Sequence, residues 1–213
     1  LGLLAGWAMM LYGYALSPRK PLLAGLLLGT GLGIGFMSKG IIAPVLFMSV
    51  SVLLLTFSAW RTRTHFISLA VALFCALPWL GIWPTLLYQR SPELFMEWLW
   101  QNNFDHWLRF TKEASAAPLI FYLKMLPWFA WPALPLAAFG VWDARKKILH
   151  LREGQLLLVS LLVVMVCLSL VPYSEEVYAL PILLPIVLLA TMALPRVRRG
   201  AANALDRFGI ITF

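Results

Sequence analysis

The side chains best able to do chemistry in this 213-residue chain are a few polar and cationic groups set into an otherwise apolar sequence. Lys39 lies in Phe36-Met37-Ser38-Lys39-Gly40-Ile41-Ile42-Ala43-Pro44, between two apolar runs and without an acidic neighbour. Ionisable groups near membrane depth tend to mark substrate paths, and an ammonium flanked by the small Ser38 and Gly40 leaves room for a phosphate to approach. The plainer reading is a lysine that snorkels to the headgroups. Arg109 and Lys112 follow Asn102-Asn103-Phe104-Asp105-His106-Trp107-Leu108. The guanidinium offers a planar, two-pronged donor suited to clamping a lipid phosphate, whereas attraction to headgroups needs no site at all. A third polar stretch runs from Val171 to Pro181, with Glu175 and Glu176 adjacent and Tyr178 following. The paired carboxylates can order a cation or a sugar hydroxyl, or be solvated, and Tyr178 suits an interfacial aromatic belt.

Other signals are weaker. His106 beside Asp105 falls short of the three or four convergent ligands that a metal site needs, so no metal ligand is assigned and a divalent cation stays open as a cofactor. Asp105, Glu97 and Glu113 read first as solvated loop charges. Cys75 and Cys167 both lie in apolar runs, where a small, weakly polar side chain is at home. Gly25, Gly29, Gly31, Gly33 and Gly35 contain a G-x-G-x-G pattern, but no strand precedes it, which removes a dinucleotide loop. Small residues four apart instead let helix backbones approach closely.

The elements that must position these groups follow from composition. Hydrophobic residues make up 62% of the chain and charged residues 12%, against roughly 45–50% and about 25% in soluble domains, which excludes a soluble globule. Apolar runs near 1 to 16, 22 to 37, 41 to 59, 66 to 88, 118 to 142, 155 to 171 and 177 to 194 predict an all-α, polytopic transmembrane bundle of about seven spans. Helices are required because unsatisfied peptide groups are costly in hydrocarbon. The whole of 1 to 213 reads as one transmembrane domain, with a long connection at about 89 to 117. The chain begins inside an apolar run without Met, and Phe208 to Phe213 open another, so a piece of a longer protein is expected.

Basic residues orient the bundle. Twelve of the 17 fall on one side, in Arg19, Lys20, Arg61, Arg63, the 145 to 152 segment, Arg196, Arg198, Arg199 and Arg207. Such residues are retained on the cytoplasmic face. The net charge of +8 is therefore mainly a topology signal with some attraction to anionic membrane lipid, and it implies no nucleic-acid partner. No pattern sets an oligomeric state. Lys39, the long connection and the Glu175 loop share the opposite, non-cytoplasmic face. In that connection Ser91 is placed to cap a helix with Pro92 at its first position and Glu93 in its first turn, and an interfacial amphipathic segment should run from Glu93 to Phe110.

Three segments, in order, resemble a known family. Gly-Ile-Gly-Phe-Met-Ser-Lys-Gly-Ile-Ile-Ala-Pro at 33 to 44, Trp100-Gln101-Asn102-Asn103-Phe104 through Arg109-Phe110, and Tyr178-Ala179-Leu180-Pro181-Ile182-Leu183-Leu184-Pro185 are similar to motifs of bacterial GT-C membrane glycosyltransferases. These are the enzymes related to protein mannosyltransferases and the aminoarabinose transferase of lipid A. The resemblance implies a GT-C fold, a polyprenyl-phosphate-linked sugar as donor, and transfer to a lipid, glycan or protein at the periplasmic face of the inner membrane without a nucleotide sugar. It implies that Lys39 and Arg109 bind the donor phosphate, and that Asn102, Asn103, His106, Glu175 and Tyr178 are the substrate-contacting candidates. The family's catalytic base is an aspartate expected upstream of Leu1, so no catalytic residue is assigned in this chain. Two departures stand out: Ser174 occupies a position where relatives often carry Lys, and the spacing from the Asn pair to Arg109 is longer than in many of them. Gly- and Pro-broken helices with a lone lysine also fit a transporter or flippase.

Overall fold

The computed structural model describes residues 1–100, 103, 118–169 and 176–196. Among them there are only helices, turns and bends. The chain runs α1 (Gly2–Leu16), α2 (Pro21–Lys39), α3 (Ile42–Leu54), α4 (Arg63–Arg90), α5 (Pro92–Leu99), α6 (Pro118–Phe129), α7 (Ala133–Ala144), α8 (Arg152–Ser169) and α9 (Leu180–Ala193). Short 3-10 turns at Ser58–Trp60, Ile148–His150, Glu176–Ala179 and Leu194–Arg196 link or end them. Every apolar run expected to span coincides with a helix, except that 118 to 142 is two helices, α6 and α7, meeting at 101°. The bend follows Pro127, which cannot donate within a helix, and falls at the cis Trp131-Pro132 bond.

By length and apolarity α2, α4 and α8 can each cross a membrane, and the bent pair is a fourth if counted as one span. The sequence count of about seven rests for its other members on α1, α3 and α9, apolar helices of 15, 13 and 14 residues. At 28 residues, α4 extends about 42 Å at 1.5 Å per residue, well beyond a hydrocarbon core of about 30 Å. Its apolar side chains Phe74, Leu77 and Ile82 face outward, as they should against lipid.

Packing is set by glycine. α2 lies between α1 and α4 and also touches α3. Toward α4, a Cβ on Gly29 would collide with the Ala72 carbonyl and lie 2.7 Å from the Cys75 Cβ, and one on Gly33 would enter the Trp79 ring. Toward α1, a Cβ on Gly31 would run into the Gly6 carbonyl and one on Gly6 into that of Gly31. Backbones this close gain dispersion contacts that lipid tails cannot match. On its other faces α1 buries Trp7, Met10, Leu11 and Tyr14, and it contacts α3, α8 and α9. Tyr14 donates to the Phe47 carbonyl at 3.0 Å and shares a 2.6 Å bond with the Ser51 hydroxyl, fastening α1 to α3.

One end of the bundle is closed by side chains from connections that the basic residues predict to lie together. Arg152 stacks 4.2 Å over the Trp60 ring and donates to the Ala59 carbonyl, with the Ser17 hydroxyl at 3.5 Å. Trp60 donates to the Gln155 side-chain carbonyl at 2.8 Å, and the Gln155 amide donates to Leu149 at 2.6 Å. The buried His65 ring lies 5.1 Å from Trp60, edge to face, with its Nδ1 3.4 Å from the Ser17 hydroxyl.

These contacts separate two kinds of glycine. Gly29→Ala is expected to lower stability by about 1–3 kcal/mol through overpacking against backbone. Gly81→Ala has no atom within 4 Å of the added Cβ and should leave stability unchanged or raise it by up to about 1 kcal/mol through helix propensity. Thermal melting of the purified variants in detergent distinguishes the two outcomes.

Candidate functional site

The opposite end of the bundle is built around the break between α2 and α3. α2 stops at Lys39 because Gly40 takes φ +58°, a left-handed conformation that side-chain-bearing residues seldom adopt. The Gly40 N–H still closes on the Phe36 carbonyl at 2.8 Å. The next amide, that of Ile41, is turned out of the helix and donates instead to Asn103 Oδ1 at 2.9 Å. Asn103 Nδ2 donates in turn to the Trp98 carbonyl at 2.9 Å, and the residue is only 4% exposed. The space that a small residue at 40 was expected to leave for a phosphate is therefore filled, since a Cβ there would collide with Asn103 Oδ1 and lie 2.9 Å from its Cγ. Ser38 is also engaged, its hydroxyl donating to the Ile34 carbonyl at 2.7 Å.

Lys39 itself is exposed, and its Nζ sits 4.8 Å from the centroid of the Tyr178 ring. The negative face of an aromatic ring attracts and orients a cation without neutralising it. Among the described residues no carboxylate pairs with this amine. Two sequence candidates far apart in the chain are thus brought together.

The elements carrying these groups are positioned by identifiable contacts. α5 begins as predicted, with the Ser91 hydroxyl accepting from the Leu94 amide at 3.3 Å and Pro92 at the first position. It folds back over the ends of α2 and α4 through Trp98, whose ring meets Trp83 at 4.9 Å and Phe36 at 5.8 Å, both edge to face. Tyr178 lies in the 3-10 turn leading into α9. The first turns of α9 contain Pro181 and Pro185. Pro185 has no N–H, so the Pro181 carbonyl loses its helical donor. The buried Trp7 indole supplies one from α1, at 3.1 Å.

Of the other sequence candidates, Arg109, Asn102, His106 and Glu175 lie outside the described residues, as do Lys112, Asp105 and most of the predicted interfacial segment after α5. Among the described residues no three His, Cys, Asp or Glu side chains converge as a metal site would require. Sequence reasoning missed the brace from Asn103 to Ile41 and the bond from Trp7 to Pro181. The second had a readable signal, because two prolines four apart in a helix leave one carbonyl without a partner; the first had only a glycine following the lysine.

Fold and composition together define a multi-pass, all-α membrane protein whose Lys39 end presents a cation against an aromatic ring. Comparison with curated proteins narrows the class. The chain is similar to undecaprenyl phosphate-alpha-4-amino-4-deoxy-L-arabinose arabinosyl transferases. It is 31% identical to the one from Pseudomonas aeruginosa over 99% of this chain and 38% of that protein. It is 28% identical to transferase 1 of one Pseudomonas fluorescens strain, over 91% of this chain and 35% of the relative. Transferase 2 of another strain of that species is 30% identical over 86% of this chain and 33% of its own length. The family resemblance drawn from the ordered motifs is borne out by these homologues. The chain spans a little over a third of the length of the curated relatives it matches. No family model matches it, and neither does any solved structure.

Trp7→Phe keeps an aromatic side chain but removes the donor to the Pro181 carbonyl and leaves a smaller ring at a fully buried position. The expected loss is at least about 1 kcal/mol, the interhelical hydrogen bond and the void together, and is read as a lower melting temperature in detergent. A variant as stable as the parent would mean that this carbonyl is satisfied in another way.

Proposed function

We propose that the protein of which this chain is part is a GT-C type glycosyltransferase. It moves a sugar from a polyprenyl-phosphate donor to a lipid, glycan or protein acceptor at the periplasmic face of the bacterial inner membrane, without a nucleotide sugar. The observation that carries this reading is the Lys39 ammonium, oriented by Tyr178 and unpaired with any described carboxylate, in a chain similar over nearly its whole length to transferases named for an undecaprenyl-phosphate-linked sugar. By that similarity the first donor to test carries 4-amino-4-deoxy-L-arabinose, and lipid A is the acceptor that the family resemblance implies.

The chemistry asks little of the cation beyond correct placement. The bond between the anomeric carbon and the lipid phosphate breaks, and its electron pair stays on the phosphate oxygen. A new bond forms from the anomeric carbon to an acceptor oxygen, whose proton passes to a carboxylate base. Negative charge therefore grows on the leaving phosphate, and a fixed ammonium facing it stabilises the transition state more than the ground state. Lys39 is assigned that role, with Arg109 assisting. The remaining polar candidates Asn102, His106, Glu175 and Tyr178 are assigned to the sugar and acceptor. The base is assigned to the part of the protein preceding this chain, following the family pattern.

Lys39→Ala in the complete protein should lower transfer from an undecaprenyl-phosphate-linked sugar at least about tenfold, equivalent to roughly 1.4 kcal/mol in the barrier. The assay is in vitro transfer by purified protein in detergent, alongside a melting curve. A folded variant with unchanged transfer removes the phosphate-binding role of Lys39, and a folded parent protein that transfers no sugar from this donor overturns the glycosyltransferase reading.

A further inference from the structure

We propose that Asn103 is a positioning residue for Lys39, acting as a brace between the lysine-bearing turn and the end of α5. This rests on the glycosyltransferase reading above and deepens it. Both polar ends of the Asn103 side chain are committed to backbone, Oδ1 to the Ile41 amide and Nδ2 to the Trp98 carbonyl. The residue is nearly inaccessible, unlike a group that must contact a sugar. Its role is better understood from what would happen without it. α3 has no side-chain cap of its own. The Ile41 N–H, turned away from α2 by the Gly40 conformation, would then be a donor without a partner at the membrane boundary.

The brace reaches Lys39 through two residues. With the Ile41 amide held and Gly40 pressed against the carboxamide, the end of α2 has a fixed height and direction relative to Trp98, which is itself wedged between Phe36 and Trp83. Lys39 is the last residue of α2, so the direction in which its side chain leaves the helix, toward the Tyr178 ring, is set by this turn. An ammonium on four flexible carbons gains most from such preorganisation, because stabilisation of a developing charge depends on donors already in place. The geometry also accounts for two sequence features at once: a glycine after the lysine, and a buried asparagine far along the chain.

The test is a double-mutant cycle on the complete protein, with undecaprenyl-phosphate-linked 4-amino-4-deoxy-L-arabinose as donor. Asn103→Ala is expected to lower kcat/KM for the donor about tenfold when Lys39 is present. In a Lys39→Ala background the same change should cost less than about twofold, because a residue that acts only through the lysine has nothing left to position. If the two losses multiply, or if Asn103→Ala leaves transfer unchanged while Lys39→Ala lowers it, the positioning role is overturned and the glycosyltransferase reading stands. If Lys39→Ala has no effect on a measurable transfer, the positioning role falls with that of the lysine while the glycosyltransferase reading stands; if the parent protein transfers nothing, that reading is overturned. Should Asn103→Ala fail to accumulate as folded protein, the near-isosteric Asn103→Leu, which also lacks the acceptor for the Ile41 amide, is run in the same cycle against the same criterion.

Discussion

The arrangement depends on α2 lying with its backbone against both α1 and α4. In a bilayer the hydrophobic effect does not drive apolar helices together, because lipid tails are as apolar as leucine. Association must come from close packing and hydrogen bonds. Glycines on opposite faces of α2 allow the first: Gly29 and Gly33 admit α4, and Gly31 admits α1 through Gly6. With α2 held between two neighbours, its last residue, Lys39, emerges at a set place at the bundle end. The cation at the candidate site is thus a consequence of residues with no side chain at all.

Several hydrogen bonds across the bundle join a side chain to a backbone group distant in sequence, and two of those groups, the Pro181 carbonyl and the Ile41 amide, are ones that regular helix geometry leaves unused. Tyr14 donates to a carbonyl of α3, Trp7 to the carbonyl freed by Pro185, Arg152 to the turn at Ala59, and Asn103 accepts from the amide that Gly40 turns away. Broken helices are tolerable in a low-dielectric setting only when such groups are satisfied. At one end the satisfied breaks form a compact lock of Trp60, His65, Arg152 and Gln155. At the other they leave the Lys39 amine facing outward.

Much of the architecture was legible in the sequence, for physical reasons. An apolar fraction of 62% and the spacing of polar interruptions dictate helices, and the start of α5 at Ser91 and Pro92 could be read from capping chemistry alone. Grouping the basic connections anticipated which loops share an end, and Ser17, Trp60, His65 and Arg152 do meet there. The 101° bend between α6 and α7 was not legible. Pro127, Pro132 and Pro135 signal an interruption, but a uniformly apolar composition carries no information about an angle. At the candidate site, Lys39 and Tyr178 were each legible as residue types, yet nothing local could say that the amine rests on that ring. Asn103 was expected, through the family resemblance, among the substrate-contacting candidates; that its carboxamide is instead committed to the Ile41 amide and the Trp98 carbonyl is a property of the turn at Gly40, which no periodicity encodes.

The bond from Trp7 to the Pro181 carbonyl also bears on how far the helices can slide. If α9 shifted along α1 by even one residue, the indole would leave that carbonyl bare in hydrocarbon and lose its own acceptor, so the pair resists axial slip in either direction. Because Tyr178 lies only three residues before Pro181, in the turn leading into α9, this peg also holds that turn in register with α1. The ring beneath the Lys39 amine is thereby kept level with it, and a single indole nitrogen sets the vertical alignment of two groups that it touches neither of.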